Sequence, residues 1–263
     1  MIEDKEITVW FSCGAASAVA AKTTLDLYGD KNNVRIVNNP IKEEHEDNQR
    51  FLKDVEAWLG VEIEYAINTK FPDCSAETVW EERQFMSGPI GAPCTVHLKK
   101  NARQLWEAKN KSDYLVLGFT SDEKKRADRF SLTERDNLIA VLVDEGISKQ
   151  DCFDIIGAAN IKRPAIYDLG YPNANCIGCV KATSPTYWNL VRNTFPEVFK
   201  RRAEQSKDIG ARLARYKGER IFLQDLPADA VGRPLKNYDF ECGIFCEEKG
   251  YEGDVVPEIT TIK

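Results

Sequence analysis

The sequence is poor in histidine and has no long apolar segment. Only His45 and His97 occur in 263 residues, so a metal site built from several imidazoles is excluded. No apolar run is long enough to span a bilayer, and residues 1–6 lack the basic and apolar regions of a secretory signal. These absences predict a cytoplasmic protein with no membrane partner.

An excess of basic residues is also missing. The 36 Lys and Arg are outnumbered by 42 Asp and Glu, which gives a formal net charge of −6. This balance argues against a protein that coats nucleic acid through bulk charge, although a local basic site stays open. Internal repeats and low-complexity linkers are absent as well, so the length suits one large domain or one domain with a smaller companion.

Cysteine, in contrast, is present eight times. Without a secretory signal, this number indicates reduced thiols, metal ligation or redox chemistry rather than a framework of disulfides.

Short β-rich segments alternate with helical segments in the first part of the chain. The β-rich segments are residues 7–11, 34–37, 61–67, 114–119 and 138–143. This alternation predicts an α/β domain over residues 1–160, with a doubly wound, mostly parallel sheet of the Rossmann type. Residues 68–93 are rich in Pro and Gly and are predicted to be irregular. Residues 161–263 are predicted to form a Cys-rich, mainly helical region.

The first strand runs through small residues into an Ala-rich helix. A strand, a small-residue loop and a helix N-terminus together bind anions, because free backbone N–H groups and the helix dipole face the ligand. The spacing of a Walker P-loop is absent. The predicted binding residues of this loop are Ser12, Cys13, Gly14, Ala15, Ala16 and Ser17. The alternative is that the small residues only permit tight packing.

Four further residues are predicted to face the same ligand. Asn38 ends the second strand, and ligand residues of doubly wound sheets lie at the carboxyl ends of strands. Lys99 belongs to a basic segment that follows a cysteine. Arg126 and Arg129 come shortly after another strand, where a cationic cluster would suit an anionic substrate. A solvated face is the alternative for this charge run.

Cys176 and Cys179 form a C-x-x-C motif at a turn before a helical segment. Two thiolates at this spacing can converge on one metal ion or cluster. Two more ligands are then needed, and the candidates are Cys94, Cys242 and Cys246. A redox dithiol and a purely structural role are the alternatives for the motif.

The loop resembles the S-x-G-x-x-S pyrophosphate loop of the adenine-nucleotide α-hydrolase, or PP-loop, superfamily. Ser12, Gly14 and Ser17 match this pattern. Ala15 and Ala16 depart from it, because ATP pyrophosphatases usually carry Gly and Asp there.

The whole chain is similar to the phosphoadenosine phosphosulfate (PAPS) and APS reductase family of that superfamily. The shared features are the loop, Cys94 before Leu98-Lys99, the basic segment, the C-x-x-C motif and Glu241-Cys242-Gly243-Ile244. The resemblance implies an adenine nucleotide (APS, PAPS or ATP) at the loop. It also implies that Cys242 attacks the sulfonate, and that thioredoxin or glutaredoxin then releases sulfite.

The same resemblance implies a [4Fe–4S] cluster, with Zn²⁺ as the alternative metal. Cys94, Cys176 and Cys179 match family ligands, and Cys246 becomes the fourth ligand because only one cysteine stands at the first position. Phe245 replaces the histidine of the family's tail motif. If Cys242 is a ligand instead, no nucleophile is left in the tail.

Two other functions remain open from the sequence. One is an ATP-pyrophosphatase-type sulfurtransferase, with Mg²⁺ and a cluster that carries sulfur to a nucleic acid. Its basic footprint would be Lys99, Lys100, Lys200, Arg201 and Arg202. The other is a zinc-stapled nucleotide-binding protein without redox chemistry. The oligomeric state, a homodimer included, is not determined by the sequence.

Overall fold

The computed structural model describes residues 2–88 and 91–235. Its strands are β1 (Glu6–Phe11), β2 (Asn33–Asn38), β3 (Ile63–Tyr65), β4 (Tyr114–Val116), β5 (Leu138–Ile139), β6 (Ala214–Tyr216) and β7 (Glu219–Ile221). Its α-helices are α1 (Ala15–Tyr28), α2 (Asn48–Leu59), α3 (Ala76–Arg83), α4 (Ala102–Glu107), α5 (Lys124–Thr133), α6 (Val141–Asp144), α7 (Lys149–Ala158), α8 (Pro185–Thr194) and α9 (Pro196–Ile209). No described helix is long and apolar enough to cross a membrane.

The first five strands form one parallel sheet in the order β3-β2-β1-β4-β5. The chain therefore builds outwards in both directions from β1, which is the doubly wound arrangement predicted from the sequence. In the register, Ile7 of β1 lies between Val34 and Tyr114. The order reverses beside β1, so the carboxyl end of β1 is the switch point at which such sheets bind ligands.

The sheet packs against helices through a core centred on β1 and α1. Ile7, Val9 and Phe11 of β1 are buried, and so are Ala18 and Ala21 of α1. The alanines of α1 carry short side chains, so the helix axis can approach the sheet closely and the N-terminus of α1 is held against the end of β1. Burial of these apolar groups is the main force that fixes this geometry.

Two local predictions are wrong. Residues 138–143 were predicted as one buried strand, but β5 ends at Ile139 and Val141 begins the short helix α6. A short apolar run is compatible with either structure, because burial on all sides removes the periodicity that would distinguish them. Residues 68–93 are not irregular throughout, since they contain α3, whose N-cap Ser75 accepts a hydrogen bond from the Thr78 N–H group.

The chain forms two compact units. Within the described residues, the first contains residues 2–67 and 106–177, and the second contains residues 68–105 and 178–235. The parallel sheet belongs to the first unit. In the second unit, α8 packs against α9, and β6 and β7 form an antiparallel hairpin. These units do not follow a single cut of the chain, and the division at residue 160 stays a prediction about domains.

Candidate anion-binding site

The loop between β1 and α1 is closed by its own serines. Ser17 Oγ accepts a hydrogen bond from the Ser12 N–H group (3.1 Å) and donates one to the Gly14 carbonyl (2.9 Å). The Ser12 hydroxyl donates to Ser17 Oγ at 3.2 Å. Cys13 between them has φ 54°, a left-handed conformation that side chains other than glycine rarely adopt. Such strain is held only where surrounding contacts fix it, which is common at binding sites.

Helix α1 begins directly after this loop, and no side chain of its N-cap residue caps its N-terminus. Its N-cap is Gly14, which has no side chain to occupy the first N–H groups, and its first turn contains no carboxylate. The unsatisfied N–H groups and the helix dipole favour an anion at this end. The predicted loop residues are thus brought together in a geometry that suits a phosphate group.

The end of β4 approaches the same turn of α1. A Cβ atom at Gly118 would lie 2.8 Å from the backbone nitrogen of Ser17 and 3.1 Å from the carbonyl carbon of Ala16. Only glycine fits at this distance, because real Cβ contacts are longer. Gly118 therefore fixes the first turn of α1 against the sheet. The sequence analysis did not single it out, although a glycine at a strand end is a signal for such an approach.

Asn38 contacts the loop through its side chain, and its assignment to nucleotide binding stays a prediction. Its side chain is 3% exposed, and its Nδ2 donates to the Phe11 carbonyl at 2.8 Å. The same nitrogen lies 3.6 Å from Cys13 Sγ. Asn38 thus ties the end of β2 to the end of β1, and it holds Cys13 in place.

Residues 161–177, which we call the strap, contact Asp47, which follows β2, and Lys149, which follows β5. The strap thus lies at the carboxyl ends of the strands of the parallel sheet. Near the start of the strap, the Ala165 N–H group donates to Asp47 Oδ2 (2.8 Å). At its end, the Ile177 N–H group donates to the Glu43 carbonyl (2.9 Å).

Lys149 holds the middle of the strap. Its Nζ donates to the Pro172 carbonyl and to Asn173 Oδ1, both at 2.8 Å. Burial lowers the pKa of Lys149. The strap was not predicted from the sequence, and it contains Cys176, the first residue of the C-x-x-C motif.

The carboxylate of Asp47 is expected to make the unfolding free energy depend on pH. Its hydrogen bonds with Arg50, helped by the Ala165 N–H group, lower its pKa from 3.8 to about 2 against the opposing effect of burial. A lowered carboxyl pKa stabilises the fold above the unfolded-state value, and this contribution disappears as the pH falls toward 2. We expect Asp47→Asn to lower the unfolding free energy by about 1–2 kcal/mol at neutral pH.

Urea unfolding between acid and neutral pH tests this expectation. The difference between the unmutated protein and Asp47→Asn should shrink as the pH approaches 2. Asp54→Asn is the matched control, because Asp54 binds the same Arg50 (2.6 Å) but is 42% exposed. Its effect should be smaller. An equal effect of both variants at every pH would contradict the role given to Asp47.

The predicted cationic cluster is less available to a ligand than its sequence indicates. Arg126 forms an ion pair with Glu123 (2.7 Å) and lies over the Phe119 ring, 4.8 Å from its centroid. Arg129 is exposed on α5. The structure does not test whether either arginine binds the ligand, so these roles stay predictions.

Lys99 and Arg202 do not contribute to a surface for nucleic acid. Lys99 lies in a π-helical segment (Thr95–Asn101) and is 8% exposed, while Arg202 is completely buried. The footprint proposed for a nucleic acid is therefore wrong at these two positions. The assignment of Lys99 to nucleotide binding stays a prediction.

The C-x-x-C motif forms a tight turn. Gly178 has φ 68°, and the Cys179 N–H group donates to the Tyr187 hydroxyl at 2.8 Å. Cys179 is buried and Cys176 is half-buried, while Cys94 precedes the π-helical segment. Such a turn fits two thiolate ligands of one centre.

The other two cysteines that could complete a metal site are Cys242 and Cys246. Both lie outside the described residues. Within residues 2–88 and 91–235, no group of three or more His, Cys, Asp or Glu side chains is arranged to hold a metal ion. The metal-ligand set therefore stays a prediction.

A comparison with solved structures finds 52 matching chains, and two of them are described below. No family model and no curated protein matches the chain. A PAPS reductase from Candida auris, solved as a phosphate complex, is 10% identical, with a TM-score of 0.45 over 65% of this chain and 80% of that one. The U34-tRNA thiolase NcsA from Methanococcus maripaludis, solved with its [4Fe–4S] cluster, is 13% identical, with a TM-score of 0.46 over 79% of this chain and 71% of that one. Neither similarity assigns an activity to this chain.

Proposed function

We propose that the chain is a PP-loop enzyme that binds the phosphates of an adenine nucleotide at the N-terminus of α1. The observation that carries this proposal is the rigid, small-residue loop in front of a helix end without a capping side chain. Gly118 and the two serines hold the loop in one shape, so little ordering is needed when the anion binds. The first turn of α1 offers N–H donors and no competing carboxylate.

The reaction we propose is the reduction of a sulfonucleotide, APS or PAPS. The Cys242 thiolate attacks the sulfonate sulfur and forms an S–S bond, while the S–O bond to the phosphate breaks and the nucleotide leaves with that electron pair. A thiol of thioredoxin or glutaredoxin then attacks Cys242 Sγ, forms a mixed disulfide and releases sulfite. A thiolate is required because a neutral thiol is a poor nucleophile.

The residues that would hold a [4Fe–4S] cluster are Cys94, Cys176, Cys179 and Cys246. The spacing of Cys176 and Cys179 supports them as the two central ligands, because two thiolates at C-x-x-C spacing can bind one centre, and Gly178 between them has the left-handed φ of a tight turn. When bound, the cluster would have a structural role near the substrate, since the two-electron chemistry is thiol–disulfide exchange. The resemblance noted above supports this assignment, with zinc as the alternative metal.

A second candidate is ATP-dependent sulfur transfer to a nucleic acid, with pyrophosphate held at the loop together with Mg²⁺. One observation favours it: Arg126 is neutralised by Glu123, so it is a weaker partner for a sulfate group than its position suggests. The anion site at α1 serves both candidates equally well. The two candidates differ in whether Cys242 forms a covalent adduct with the sulfonate sulfur.

The deciding experiment is an intact mass measurement on anaerobically purified protein after incubation with APS or PAPS, without added thioredoxin. We expect a sulfite-sized mass increase that maps to Cys242 and is absent in Cys242→Ser. Cys152→Ser is the matched control, because burial raises the pKa of the Cys152 thiol to about 12 and makes it unreactive. This variant should form the adduct normally.

Other outcomes of this experiment contradict the reductase proposal. No adduct, together with pyrophosphate release from ATP in the presence of RNA, would support the second candidate. Zinc as the only bound metal, with neither adduct nor pyrophosphate release, would support a nucleotide-binding protein without redox chemistry.

A further inference from the structure

Tyr167 of the strap points its hydroxyl at the loop in front of α1. Its Oη lies 3.5 Å from the position that a Cβ atom would take at Gly14, the N-cap of the helix. Phe153 packs edge-on against the Tyr167 ring, with centroids 5.2 Å apart, and fixes its direction. The phenol is thus aimed at the same helix end that we propose as the anion site.

The hydroxyl of Tyr167 is a neutral donor at this place. Burial raises the pKa of Tyr167 to about 12 against the opposing effect of the Ala15 and Ala174 N–H groups, so the phenol keeps its proton at neutral pH. These two neighbours are themselves N–H donors and cannot accept the phenol proton. The O–H group can therefore donate to an oxygen of a ligand or of water.

We propose that Tyr167 is a further binding residue of this site, whose hydroxyl donates its proton to an oxygen of the bound phosphate. The inference rests on the proposed function, because it assumes the anion at α1. The Tyr167 O–H group would add one donor to the N–H donors of the first turn of α1. Binding through a neutral donor selects an oxyanion without adding a charge to the site.

This arrangement also links the anion to the strap. Tyr167 and Cys176 belong to the same strap, which Asp47 and Lys149 hold in place. A phosphate bound by Tyr167 therefore restrains the segment that leads to the C-x-x-C motif. A residue that only capped α1 would stabilise the fold without responding to phosphate.

Calorimetric titration of the full chain with inorganic pyrophosphate, and separately with ATP, tests the proposal. We expect Tyr167→Phe to weaken pyrophosphate binding at least about tenfold, because a hydrogen bond to a charged oxygen is lost. Tyr28→Phe is the matched control, since Tyr28 ends the same helix α1. The affinity of Tyr28→Phe for pyrophosphate should stay within about twofold of that of the unmutated protein, which is the usual range for a surface substitution.

Hydrogen exchange on the unmutated protein gives a second measurement that does not depend on the variant's folding. Pyrophosphate should slow exchange in residues 161–177, and saturating pyrophosphate should not restore this protection in Tyr167→Phe. Unchanged or tighter pyrophosphate binding by a folded Tyr167→Phe protein would overturn the role of Tyr167 and leave the proposed function intact. Absence of protection in the unmutated protein would also overturn it. Failure of the unmutated protein to bind pyrophosphate or any adenine nucleotide would overturn both.

Discussion

Replacing Gly118 with alanine is expected to disable the anion site and to destabilise the first unit. The new Cβ atom would lie 2.8 Å from the backbone nitrogen of Ser17 and 3.0 Å from its Cα atom. Both contacts are to backbone, so no side chain can rotate away, and the first turn of α1 must move off the end of β4. We expect a loss of about 1–3 kcal/mol in unfolding free energy, typical of overpacked sites.

Gly118→Ala should also weaken the binding of a nucleotide. The N–H groups of the first turn bind an anion only while they point at one place, and hydrogen bonds weaken steeply when their angles change. We expect nucleotide affinity to fall at least about tenfold, the equivalent of one lost hydrogen bond to a charged group. Titration with ATP and urea unfolding of the same preparation measure both effects.

Gly157→Ala is the matched control for this prediction. Gly157 lies in α7, where an added Cβ atom would have no neighbour within 4 Å. Alanine is the better helix former, so the control should stabilise the protein slightly or leave it unchanged. Nucleotide affinity of Gly118→Ala equal to that of Gly157→Ala would show that the end of β4 does not position the loop.

The sequence predicted those features that are encoded locally. Apolar Ile7, Val9 and Phe11, followed by small residues and an alanine-rich helix, are neighbours in the chain, and they predicted both the strand and the turn into the helix. The alternation of strands and helices predicted the parallel sheet for the same reason. Residues whose partners are adjacent in sequence can be interpreted from pattern alone.

Features that depend on distant partners were not predicted. Tyr167 reaches Gly14, and Gly118 approaches Ser17, across long stretches of chain that carry no matching signal. The sequence places Asn38 at the end of a strand, but this position does not indicate which way its side chain turns. Only the packed structure reveals that Asn38 donates to the Phe11 carbonyl.

The burial of Arg202 could not be predicted from the sequence either. In the sequence it stands beside Lys200 and Arg201 and resembles part of a surface cluster. In the structure its side chain is fully buried in the second unit, where Nη2 donates to Glu77 Oε1 at 3.1 Å and Nε donates to the Gly178 carbonyl at 3.2 Å. A buried arginine is tolerated only with such partners, and here one partner lies on α3.

Replacing Glu77 with methionine is expected to be among the most destabilising single changes in the second unit. Methionine keeps the approximate volume of the side chain but removes the carboxylate that accepts a hydrogen bond from the buried guanidinium of Arg202. Stacking of Arg202 on the Trp80 ring, 4.1 Å away, does not replace that charge. Removal of one partner from a buried pair typically costs about 3–5 kcal/mol, because the remaining charge stays desolvated.

Two further variants make this prediction specific to the buried charge. Glu81→Met, one turn later on α3, removes an exposed carboxylate that contacts Gln205, and it should cost less than about 1 kcal/mol. Arg202→Met added to Glu77→Met should recover part of the lost stability, since the buried charge disappears. Urea unfolding of the three proteins measures these differences. Equal losses for Glu77→Met and Glu81→Met, or a further loss in the double variant, would mean that packing rather than charge pairing makes Glu77 important.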